Sequence, residues 1–198
     1  MDLFDSPGTL VPISLPDAEL AWLAQLALAC PNQEVFARLL ADTPWRAETV
    51  LVYGKRHPQP RLTAWYGDAS YTYSGLRLEP LPWTPLLLEL RAAVEAACGQ
   101  RFNSVLLNLY RNERDSMGMH SDDEPELGPT PVIASLSFGA TRTLVLRHKR
   151  DKQVLRLPLT DGSLLLMAGA TQQNWVHGIN KSTRPLGARI NLTFRYIA

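Results

Sequence analysis

Periodicity alone divides the chain into a front with helical spacing and a back with strand spacing. Asp17 to Cys30 (DAELAWLAQLALAC) has an acid in its first turn and repeats Leu20, Leu23, Leu26 and Ala27 along one side, which predicts a helix. Thr84 to Cys98 shows the same spacing, opens on Pro85 and stops before Gly99, the expected punctuation of a helix start and end. Between them, residues 48–78 lose the helical period. Val, Tyr, Trp, Gly and Pro crowd together there, predicting short strands, turns and loops. From Arg101 onward the apolar runs are short: VLLNLY, VIASLSFG, TLVLRH, VLRLPL, SLLLMAG and ARINLTFRYI, each bounded by Gly, Pro, Asp or charge. So many short strands after a helical front predict an α+β fold, two packed antiparallel sheets forming a jelly roll with helices outside.

The last run carries the most information. Ile190, Leu192 and Phe194 alternate with Arg189, Asn191, Thr193 and Arg195, so the two sets face opposite sides of a sheet. The polar set is either a solvated outer face or the wall of a polar interior pocket holding two guanidinium groups. VLLNLY has the same split, with Asn108 and Tyr110 on one face.

A chain of 198 residues can bury a substantial core, and 1–198 is expected to be a single domain. A net charge of +1 decides nothing about nucleic acid, because a local patch can be basic while the sum is near zero. Cys30 and Cys98 show no metal or redox spacing and are expected to be reduced, buried thiols. The opening MDLFDSPGTLVPISLP lacks the basic start and apolar run of a signal peptide. No apolar run approaches the roughly 18 residues of a membrane span. These features predict a soluble, monomeric protein of the cytoplasm, or of the nucleus in a eukaryote, with no membrane partner.

The chemistry gathers around MGMHSDDEPELGP. His120 and Asp122 are two apart, so in extended backbone they project to one side and can take adjacent positions on a metal. By itself His-x-Asp is weak. A second histidine would complete the two-histidine, one-carboxylate triad of non-haem iron oxygenases. The other histidines are His57, His148 and His177. His57 in GKRHPQPR and His148 in RHKR read as solvated or nucleic-acid-facing, leaving His177 as the natural third ligand, although alone it would read as a loop histidine. Arg189 beyond it offers a guanidinium fork suited to the distal carboxylate of a 2-oxo acid.

Read together, NLY (Asn108 to Tyr110), HSDDE (His120 to Glu124), ASLSFG, LVLRHK, LPLTDGSLLLM, WVH at His177 and RINLTFR (Arg189 to Arg195) resemble the AlkB family. The resemblance runs from about Val50 to the C-terminus and is nearest the family's DNA-repair branch. It implies a double-stranded β-helix core over 101–198 and a nucleotide-recognition lid over 48–78. Iron(II) is implied at His120, Asp122 and His177, and 2-oxoglutarate at Asn108, Tyr110, Arg189, Asn191 and Arg195, with dioxygen as cosubstrate. Tyr53 and Gly54 correspond to the finger that fills the gap left by a flipped base, and Tyr71 and Tyr73 to the base pocket. Asp123 and Glu124 correspond to acidic residues that support the site and meet the base. The implied activity is oxidative demethylation of 1-methyladenine and 3-methylcytosine in DNA, releasing formaldehyde, succinate and carbon dioxide. The alternatives are the same iron chemistry on RNA or a protein, or a catalytically silent reader of damaged DNA.

Basic residues fall in two groups. Lys55, Arg56 and Arg61 flank the finger, while Arg142, Arg147, Lys149, Arg150 and Lys152 surround a predicted turn. Either group reads as a solvated face or as phosphate contacts beside a base-reading pocket.

Overall fold

The computed structural model describes residues 8–52, 55–68, 71–73 and 76–197, with the backbone alone at 50–52, 55–57, 71–73 and 76–78. Its front is strand where helical spacing predicted a helix. β1 (Val11–Ile13) pairs with β2 (Glu19–Leu23), which lies inside the stretch Asp17 to Cys30. Local helix propensity loses here to long-range pairing. β2 is zipped along a later strand through Leu20↔Met167 and Trp22↔Leu165, and tertiary context overrides a weak local preference. The helix of this region comes later, as α1 (Asn32–Asp42), which buries Val35 and Leu39 one turn apart.

The middle segment has the texture its sequence predicts. β3 (Thr49–Val52) and β4 (Lys55–Pro58) form one two-stranded ribbon, and β6 (Tyr71–Tyr73) with β7 (Leu76–Leu78) forms another. Between them β5 (Leu62–Gly67) joins the main sheet. α2 (Pro85–Cys98) matches the second predicted helix. The Thr84 hydroxyl accepts from the Leu87 N–H at 3.2 Å, and Gly99 takes the left-handed conformation (φ 65°) that closes the C-terminus.

From Ser104 the chain is strand: β8 (Ser104–Tyr110), β9 (Met117–His120), β10 (Ile133–Gly139), β11 (Arg142–His148), β12 (Val154–Leu159) and β13 (Leu164–Ala168). The short helix α3 (Thr171–Asn174) follows, then β14 (Trp175–Ile179) and β15 (Arg189–Arg195). They build a seven-stranded sheet in the order β1-β2-β13-β10-β15-β8-β5 and a four-stranded sheet β12-β11-β14-β9, antiparallel throughout. This is the predicted α+β jelly roll.

The two faces of the large sheet bury different things. Its outer face packs Leu107, Leu136, Ile190, Leu192 and Phe194 against Leu87, Leu90 and Val94 of α2. Its inner face meets the small sheet, where Trp22, Leu106, Leu144, Leu146 and Trp175 form a second cluster. Among the described residues, no helix is long and apolar enough to cross a membrane.

Candidate metal centre and cosubstrate pocket

β15 shows which reading of its polar face holds. Arg189, Asn191, Thr193 and Arg195 are each at most 8% exposed, so the solvated-face reading is excluded. They line a pocket between the sheets, together with Asn108, Tyr110 and Ser135. Buried polar groups are costly unless hydrogen-bonded, and most here are. Asn191 donates to Ser135 Oγ (2.8 Å) and Leu136 O (3.1 Å) and accepts from the Thr193 hydroxyl (3.0 Å). Arg189 donates to Ser137 Oγ at 3.0 Å, and its Cζ sits 5.1 Å from the Tyr110 ring centroid. Its Nε and Nη1 are buried without a partner, as is Asn108 Nδ2. Burial lowers the Arg189 pKa to about 10, so the guanidinium stays cationic near neutrality. A buried cation with unused donors, in a pocket with an idle amide, fits a carboxylate ligand.

At the other end of the pocket stand His120, Asp122 and His177, whose ligating atoms all lie within 4.8 Å of one another. Two strands bring the histidines together: β9 pairs with β14 with His120 directly opposite His177, and their ring centroids are 4.5 Å apart. The pairing tolerates no side chain at Gly178, where a Cβ would lie 2.8 Å from Met117 O and 3.0 Å from Gly118 O. His120 Nδ1 lies 2.9 Å from Gly118 O, which sets the tautomer that donates there and turns Nε2 toward the cluster. Asp122 Oδ1 is 3.7 Å from His120 Nε2, and Oδ2 is 3.9 Å from His177 Nε2.

The electrostatics favour metal-binding protonation states at Asp122 and His177. Burial would raise the Asp122 carboxyl, but the Arg195 guanidinium, at 3.0 Å, and the two histidines outweigh it and hold it below the ordinary carboxylate range. Burial, reinforced by His120, pushes His177 down to about 3, so its imidazole is neutral at physiological pH. A carboxylate and a neutral imidazole are the protonation states a divalent metal requires.

The remaining expected residues divide. Asp123 is exposed and Glu124 half-buried, both directly after Asp122. Tyr53 and Gly54 lie outside the described residues, and Tyr71 and Tyr73 are described only as backbone of β6. Three predicted surface groups are instead interior. Arg61 is 4% exposed and donates to Asn108 Oδ1 at 2.7 Å, so it holds a pocket residue rather than standing free for phosphate. Arg142 is buried and donates to the carbonyls of Asn112, Asp115 and Asn180. His148 is also buried, beside Asp151, with its ring centroid 5.0 Å from that of Trp175. Arg147, Lys149, Arg150 and Lys152 are exposed as expected. Cys98 has a thiol pushed up to about 11 by burial and, like Cys30, is free and half-buried. The sequence reading did not single out Gln172, 1% exposed, whose Oε1 accepts from the Asp122 N–H at 3.0 Å.

Two histidines paired across antiparallel strands and a carboxylate just beyond one of them, beside a cationic carboxylate pocket, define the class of non-haem iron oxygenases. The profile of the 2OG-Fe(II) oxygenase superfamily matches residues 20–195, and the chain belongs to that superfamily, within its AlkB family. It is 48% identical over 173 residues to the Bos taurus alpha-ketoglutarate-dependent dioxygenase alkB homolog 3, covering 82% of this chain and 60% of that protein. It is also 48% identical over 192 residues to the Mus musculus DNA oxidative demethylase ALKBH2, covering 86% of this chain and 80% of that protein. A solved structure titled "The structure of OsALKBH1" superposes with a TM-score of 0.62 at 16% identity, covering 94% of this chain and 99% of that one, which supports the fold. The superfamily's name specifies iron(II) and 2-oxoglutarate, and the residues present fit both: a three-ligand cluster for one, unused Arg189 donors for the other.

Proposed function

We propose that this protein demethylates N-alkylated bases, 1-methyladenine and 3-methylcytosine, in DNA. The observation that carries the reading is one pocket holding the His120, Asp122 and His177 cluster and the Arg189 fork. The naming of relatives 48% identical as DNA oxidative demethylase ALKBH2 supports the substrate class. Iron(II), 2-oxoglutarate and dioxygen together supply the oxidation: the N-methyl carbon is hydroxylated, 2-oxoglutarate becomes succinate and carbon dioxide, and the hydroxymethyl group leaves as formaldehyde.

The chain's own residues supply position and charge. His120, Asp122 and His177 hold the metal, while Arg189 and Asn108 receive the 2-oxoglutarate carboxylate, with Tyr110 and Asn191 shaping that wall and Arg195 steadying Asp122. Asp123 and Glu124 sit beside the metal ligands, where carboxylates favour a cationic methylated base over a neutral one. Tyr53, Gly54, Tyr71 and Tyr73, in a lid over 48–78, are assigned to the flipped base by family resemblance. The partner is alkylated DNA, and the exposed Arg147, Lys149, Arg150 and Lys152 turn supplies phosphate contacts.

The test is anaerobic loading with iron(II), then air, 2-oxoglutarate and a duplex containing one 3-methylcytosine, followed by mass spectrometry with His177→Ala alongside. Loss of one methyl mass in wild type alone is expected. Succinate release without demethylation of DNA would overturn the substrate and direct the search to RNA or a peptide. Absence of succinate with iron bound would overturn the reaction.

A further inference from the structure

Asp122 is held in a way the strand ladder does not provide. β9 ends at His120, opposite His177 of β14, so the chain leaves the sheet just before its carboxylate ligand. Two side-chain bonds take over. The Ser121 hydroxyl donates to Trp175 O at 2.9 Å, and the Asp122 N–H donates to Gln172 Oε1 at 3.0 Å.

Gln172 is itself fixed from several sides. Its Nε2 lies 3.7 Å from Met167 Sδ on β13, and its carbonyl accepts from Lys149 Nζ at 2.9 Å. Thr171, one residue earlier, donates to Ala168 O (2.6 Å) and accepts from the Glu19 N–H (2.9 Å). A residue 1% exposed, tethered to β2, β13 and the turn after β11, presents one oxygen to the backbone of a metal ligand.

We infer that Gln172 is a positioning residue of the metal centre. It sets the Asp122 backbone so that the carboxylate spans both histidines instead of settling wholly onto Arg195. Asp122 Oδ1 already accepts from Arg195 at 3.0 Å, while Oδ2 is the oxygen nearest His177. Loss of the backbone anchor lets the carboxylate rotate toward the guanidinium and withdraws that second oxygen. Outer-shell partners of metal ligands typically govern about tenfold to hundredfold in metal affinity.

This inference rests on the metal-centre reading above, and its test separates the two. Metal-free full-length protein is titrated calorimetrically with Co(II), alongside Gln172→Met, Gln172→Glu, His177→Ala and the neighbouring Gln173→Ala. Gln173 points its amide to Pro129 O on the surface and serves as the control. Wild type and Gln173→Ala are expected to bind one equivalent, and His177→Ala none. Gln172→Met keeps the bulk but lacks the acceptor, and is expected to lose about tenfold or more in affinity. Gln172→Glu keeps the acceptor oxygen and is expected to retain affinity. Lower thermal stability of Gln172→Met with wild-type Co(II) affinity would overturn the positioning role and leave Gln172 structural. If Gln172→Met does not fold, Gln172→Glu decides: retained affinity supports the role, and a tenfold loss ends it. Failure of wild type to bind Co(II) would overturn the metal centre instead.

Discussion

The two faces of β15 belong to one seven-residue strand and do opposite work. Ile190, Leu192 and Phe194 pack under the helices, in a layer whose buried members are apolar. Arg189, Asn191, Thr193 and Arg195 are just as buried, yet they point into the pocket between the sheets. Apolar burial stabilises by about 25 cal/mol per Å², whereas a buried charge or amide costs free energy unless fully paired. The helix-covered face therefore offsets what the pocket face costs. One layer makes the fold stable, and the other makes it reactive.

Breaking this contrast should separate stability from activity. The largest effect is expected from Asp122→Ala, which removes a metal ligand and breaks a buried ion pair with Arg195 at 3.0 Å. Metal binding should vanish, and denaturant titration of the metal-free protein should show a loss of about 3–5 kcal/mol. Leu192→Ala, on the other face, should cost about 2–5 kcal/mol while leaving 2-oxoglutarate affinity per folded molecule unchanged. Arg189→Met reverses that pattern. Equilibrium binding should show 2-oxoglutarate affinity lowered about tenfold to a hundredfold, with stability unchanged or raised because a buried charge has gone.

The smallest effect lies just beyond β8, where Asp115 accepts from the backbone and guanidinium of Arg111. Burial pushes its carboxyl up, but the Arg111 hydrogen bonds and the charges of Arg111 and Arg142 bring it below its ordinary 3.8. Because the folded value is the lower one, this stabilisation is present above about pH 4 and is lost as pH falls through the folded value. Asp115→Asn should cost about 1 kcal/mol at pH 7, since Arg111 is half exposed and solvent screens the pair. The same variant should flatten the acid limb of a stability-against-pH curve.

Much of this contrast was legible in the sequence. The strict alternation of RINLTFR announced two unlike faces, and His120-x-Asp122 with His177 announced the cluster. What escaped has a common physical origin. β2 spells a helix because its neighbours favour one, and only pairing with β13, distant in sequence, makes it a strand. Arg61, Arg142 and His148 look like surface charge, since residue type does not reveal which carbonyl or amide will receive a donor. Gln172 carries no motif. Its role exists only once α3 is folded against the segment that follows β9.

The opposition of His120 and His177 in the β9–β14 ladder has a consequence for how the protein comes into being. Four strands, β10 to β13, lie between them in the chain, so the ligands are strangers until that long loop has closed. Closing such a loop carries an entropic cost and slows folding, and metal cannot reward it beforehand. Metal that binds the finished arrangement and not the nascent chain pulls the folding equilibrium forward by mass action. The site for a reactive ion is complete only once the walls that contain it are standing.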